Sequence, residues 1–60
     1  MSKYHVELRN GEIVVFRDDT IIAETFCDNL YPTTEANNGD IDALIDIANY
    51  YGSFYIAREV

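Results

Sequence analysis

Sixty residues with a formal net charge of −7 at pH 7 leave room for a single domain, 1–60, and no second. Hydrophobic residues make up 48% of the chain and aromatics 13%, a richness that excludes intrinsic disorder. One cysteine, Cys27, excludes an internal disulfide framework, the usual staple of a small secreted domain, so a cytoplasmic setting is expected.

The opening residues MSKYHVELRN contain no apolar core of a signal peptide. The longest uninterrupted apolar run is Ile13–Phe16, far short of the roughly 20 residues a membrane helix needs. Asn10-Gly11 then marks a hairpin, because both positions of a tight two-residue turn need positive φ. That turn pairs Arg9 with Glu12, Leu8 with Ile13 and Val6 with Val15. It puts Tyr4, Val6, Leu8, Ile13 and Val15 on one face. His5, Glu7, Arg9 and Glu12 share the other with Val14 and Phe16.

Asp18-Asp19 predicts a second turn, with Arg17 opposite Thr20 and Phe16 opposite Ile21, and Thr20–Phe26 reads as a third strand. From Cys27 to Asn38 the residues Pro32, Thr33, Thr34, Asn37 and Asn38 predict a loop. Leu30 and Tyr31 in this loop either cover one end of the core or serve a binding function, as long loops often do. A helix is expected from about Asp40 to Tyr51, with Asp40 as N-cap and Asp42 complementing the dipole. Ile41, Leu44, Ile45, Ala48 and Tyr51 form its apolar stripe, Asp42, Asp46 and Asn49 lie opposite, and Gly52 ends it. Phe54–Val60 alternates as a last strand.

The order β-β-β-α-β predicts an α+β fold with a small antiparallel or mixed four-stranded sheet and one helix packed on one face. A right-handed crossover would set the last strand beside the first, in the order 3-2-1-4, a β-grasp-like layout. That order leaves the third strand at an edge, where it could pair with a second copy.

Charge is uneven along the chain. Residues 1–17 carry a net charge of +1, whereas 18–57 carry −8 and contain no Lys or Arg. Such a field repels nucleic acid and anionic membranes and attracts basic protein surfaces. It also serves solubility in a small apolar-rich protein.

Catalytic and metal readings find little. His5 has no nucleophile in register with it, and Asp28 beside Cys27 disfavours a thiolate. One Cys and one His cannot build a zinc site. Asn37, Asn38, Asp40 and Asp42 surround Gly39, but no frame fits a calcium loop. Neither enzymatic activity, metal nor cofactor is expected. The candidate partner-binding residues are Asp18, Asp19, Asp40, Asp42 and Asp46, together with Tyr31, Tyr50 and Tyr55, whose rings offer contact area with a polar tip.

In size, charge and compactness the chain resembles small acidic bacteriophage and mobile-element proteins that inhibit host polymerases, nucleases and CRISPR complexes. Its short acidic helix followed by an alternating strand is similar to the end of a small phage inhibitor of bacterial RNA polymerase. The resemblance implies a non-enzymatic inhibitor, anti-CRISPR-like or a nucleic-acid mimic. Its partner would be the basic surface of a host protein or nucleoprotein complex, with no direct contact to nucleic acid or membrane. The alternative is a self-associating accessory module, a homodimer through a sheet edge.

Overall fold

The first hairpin has the geometry its sequence demands. In the computed structural model, which describes residues 3–57, β1 (Tyr4–Arg9) pairs antiparallel with β2 (Glu12–Arg17). The register sets Arg9 against Glu12, Leu8 against Ile13 and Val6 against Val15. Asn10 and Gly11 sit at φ 52° and 82°, the left-handed pair that matches strand twist across a two-residue loop.

β3 (Thr20–Phe26) pairs with β2 through the Asp18-Asp19 turn, with Arg17 opposite Thr20 and Phe16 opposite Ile21. Asp18 takes φ 55°, which Asp tolerates better than most residues. The register slips between Val15 and Phe16, because Val15 faces Ala23 while Phe16 faces Ile21. Ile22 is the extra residue of a bulge, and it buries beside Ala23 in the same core. Thr33 serves the carbonyls there: its N–H donates to Ile22 O and its hydroxyl to Ile21 O, both at 2.8 Å. At the far end of the pair the Thr25 hydroxyl accepts the Ile13 N–H at 2.8 Å, where the ladder stops.

Among the described residues the sheet has five strands, not four. Part of the expected loop is β4 (Asn29–Pro32), antiparallel to β3 through a two-residue turn at Cys27 and Asp28. Both turn residues have positive φ, 52° and 65°. The chain then makes a 3-10 turn at Asn38–Asp40 and enters α1 (Ile41–Tyr50). The helix closes as a Schellman motif: Gly52 at φ 75° donates to Asn49 O, and Ser53 donates to Ala48 O. β5 is only Phe54–Tyr55 and runs parallel to β4. Residues 58–60 of the predicted last strand lie outside the described residues.

Sheet order is therefore β1-β2-β3-β4-β5, and the expected order 3-2-1-4 is overturned. The reason is directional. Inserting β4 adds one reversal before the helix, so β5 emerges parallel to β4 and docks beside it. β3 becomes the central strand, paired on both sides, so it offers no edge to a second copy.

One layer of core forms between the sheet and the helix. Ile13, Val15, Ile22, Ala23 and Leu30 meet Leu44 and Ala48, with Val6, Ala36, Ile47 and Tyr55 packed around them. The helix stripe is rotated from the expected one. Ile47 joins Leu44 and Ala48, whereas Ile41, Ile45 and Tyr51 remain substantially exposed.

Candidate protein-interaction surface

Arg17 faces inward, because it lies opposite Tyr4 on the core side of the hairpin. There its guanidinium meets the Asp40 carboxylate in a close ion pair. The Tyr4 hydroxyl donates to Asp40 Oδ1 at 2.8 Å, and the Asn37 N–H donates to Oδ2 at 2.9 Å. Arg17 also reaches the Glu35 carbonyl at 3.4 Å. Asp40 is only 3% exposed. Asp40 stands at the N-cap position of α1 as expected, but its side chain makes no cap bond to the helix and is buried rather than offered to a partner; it clamps the start of the helix onto the end of the sheet.

Burial by itself would push the Asp40 carboxyl up. The Asn37 N–H, the Tyr4 hydroxyl and the Arg17 charge outweigh it and hold the group below the usual aspartate value. The same hydrogen bond to Asp40 raises the Tyr4 phenol above its ordinary value. On the opposite sheet face Glu7 is held low by hydrogen bonds from Arg9 and His5.

Tyr55 also leaves the expected surface. It lies opposite Leu30 in the parallel pair and packs on the core, while Phe54 turns outward and is 70% exposed. Tyr55 thus turns inward rather than serving as a surface residue, because β5 meets the sheet at β4 rather than at β1.

The remaining candidates divide between two surfaces. Asp18 and Asp19 are exposed on the β2–β3 turn. The Arg17–Asp40 pair brings that turn to the same end of the molecule as the helix start, where Asp42 is exposed. Asp46 is exposed one turn further along, about 6 Å of helix rise away. Tyr50 follows at the last helical residue, 82% exposed with its ring edge-on to Tyr51. Among the described residues none of these carboxylates takes part in an ion pair. Tyr31 lies elsewhere. It shares the helix-free face of the sheet with Glu24, its pairing partner, and takes a hydrogen bond from Asn29 at 3.3 Å.

That helix-free face holds what the sequence reading missed. Phe26, Tyr31 and Phe54 are exposed there, on the face that carries Phe16 and, toward the β1 side of the sheet, His5, Glu7 and Arg9. His5 stacks obliquely on Phe16 at 5.8 Å, and the Arg9 guanidinium sits 5.5 Å from the same ring. The signal available was the alternation in Thr20–Phe26, which puts Glu24 and Phe26 on one side. It was unreadable without β4 and β5 to complete the face.

Two grooves among the described residues are open to solvent. The larger cavity, 330 Å³, is an open groove lined by Leu8, Ile13, Thr25, Cys27 and Tyr51, with Glu12 and Asp28 at its rim. His5 lies on the other face of the sheet. Among the described residues no three His, Cys, Asp or Glu side chains converge as a metal site, and no helix is long and apolar enough to cross a membrane. No protein-family model, curated protein or solved structure matches this chain.

Proposed function

We propose that this chain is a non-enzymatic protein-binding module, an inhibitor of the phage or mobile-element kind. It docks exposed carboxylates on a basic, nucleic-acid-binding surface of a host complex. One observation carries the reading. Residues 18–57 contain eight acidic residues and no Lys or Arg, and Arg17, the cation facing that half from β2, is taken up inside the fold by Asp40. Asp19, Asp42 and Asp46 therefore present negative charge with no ion-pair partner among the described residues, while Asp18 stands opposite Lys3 at the start of β1.

The mechanism is competition. Carboxylates occupy positions that phosphates would fill, and Arg forks accept them in bidentate fashion. Tyr50, beside this acid, adds a rigid amphipathic contact. Because exposed charge pairs are screened, binding weakens as salt rises.

The test is affinity capture from nuclease-treated bacterial lysate at low and high salt, with DNA added as competitor. The Asp42→Lys plus Asp46→Lys variant runs in parallel. The reading expects a nucleic-acid-binding complex that is held at low salt, shed by salt or DNA, and ignored by the folded variant. Retention of the same proteins by the folded variant overturns it.

A further inference from the structure

The sheet ends at β1, and that edge is built differently from the rest of the surface. No described strand lies beyond it. The Asp18 N–H donates to the Lys3 carbonyl at 2.8 Å, which makes Lys3 and Asp18 a hydrogen-bonded pair. Bonded and non-bonded pairs alternate along an antiparallel ladder, so His5, Glu7 and Arg9 also bond toward β2. Tyr4, Val6 and Leu8 then aim their N–H and C=O groups away from β2, at the open edge. Six residues run there without proline or bulge, and the two charged residues that could guard the edge, Glu7 and Arg9, are paired with each other. Leu8 beside it is 69% exposed, although it sits on the core face of the sheet.

We infer that β1 is a self-association strand, through which two copies of the chain join antiparallel about a two-fold axis centred on Val6. The register follows from the residues. A slip by one residue would set core-face against outer-face side chains. Centring the axis on Glu7 would place two Glu7 carboxylates directly opposite each other, and centring it on His5 would leave Leu8 beyond the paired segment. Centring it on Val6 suits every position from Tyr4 to Leu8, and it sets Lys3 against Arg9 of the second copy at each end, where Arg9 is already paired with its own Glu7. Val6 meets its own copy, Tyr4 meets Leu8 of the second copy on the core face, and His5 meets Glu7 on the outer face. The open-edge groups of Tyr4, Val6 and Leu8 supply about six backbone hydrogen bonds across the axis. The contact is isologous, so it closes at a dimer.

Charge singles out the same place. Two chains of net −7 repel wherever acid meets acid, but residues 1–17 net +1 while 18–57 net −8. β1 therefore brings copies together through the long stretch of the chain that is not acidic. The opposite edge is the two-residue β5, which packs beside the acid-bearing helix. This assembly is independent of the acidic surface and leaves Asp42 and Asp46 of both copies free, so neither reading stands or falls with the other.

The experiment combines mass and register. Light scattering on the intact chain, from micromolar to millimolar concentration, is expected to show the mass rising to twice that of one chain. Amide exchange at Tyr4, Val6 and Leu8 should slow about tenfold over the same range, since edge amides become bonded. In a Cys27→Ser background, Val6→Cys places two sulfur-bearing residues about 5.5 Å apart between Cα atoms, within disulfide reach. Leu8→Cys places them about 14 Å apart, outside it. Mild oxidation should link Val6→Cys and leave Leu8→Cys unlinked. A monomer at millimolar concentration, unchanged exchange at the three edge amides, or equal linking of the two cysteine variants overturns the inference.

Discussion

Asp40 and Asp42 stand two residues apart in one acidic run, and the fold uses them in opposite ways. Asp40 is buried, with Arg17, the Tyr4 hydroxyl and the Asn37 N–H all pointing at its oxygens. Asp42 is exposed in the first turn of the helix and bears no ion pair among the described residues. The lesson is that acidic composition does not translate residue by residue into acidic surface. One carboxylate holds the helix to the sheet; its neighbour is left for solvent or a partner.

The comparison can be broken most directly at Asp40. Removing one member of a buried ion pair leaves the other without compensation, so Asp40→Ala should cost about 3 kcal/mol. That is a large fraction of the stability of a domain this size. Urea unfolding measures it, and a loss no greater than that of an exposed-site variant would remove the asymmetry. The pH dependence has a definite sign. The Asp40 carboxyl is lower in the folded chain than its unfolded value of about 4, so its contribution is complete above that value. It disappears as pH falls through the folded value. An acid-unfolding curve should therefore be steeper for the parent chain than for Asp40→Asn.

Tyr4→Phe sharpens the comparison by removing one hydrogen bond while the ion pair remains. A loss smaller than that of Asp40→Ala is expected, read from the same urea titration. The smallest effect belongs to the exposed side. Asp42→Lys plus Asp46→Lys gives up some helix-dipole complementarity and should shift stability by less than about 1 kcal/mol. Thermal unfolding checks this, and the same protein then reports on binding without a folding artefact.

Legibility followed locality. The Asn10-Gly11 turn announced itself because those residue types accept positive φ at little cost, and the pairing of Arg9 with Glu12 followed. Gly52 was readable as a helix end for the same reason. The turn at Cys27 and Asp28 has the same φ signature with neither Asn nor Gly. β-Ladder and core contacts around Phe26, Asn29 and Leu30 hold it there despite the local cost of left-handed backbone. Missing that turn hid β4, and missing β4 misplaced β5. Without β4, the residue pattern places Tyr55 at the surface and β3 at an edge.

The sequence by itself determined the α+β class, the first hairpin with its faces and register, the helix with its Gly52 stop, and the uneven distribution of charge. Each of these depends on neighbours within a few positions, or on composition alone. Only the tertiary structure decided the five-strand order, the burial of Asp40 against Arg17 and the separation of Tyr31 from the helix acid. It also decided which strand ends the sheet. Arg17 and Asp40 are 23 positions apart. Their pairing rests on where an inserted strand turns the chain, and no local preference in either segment encodes that.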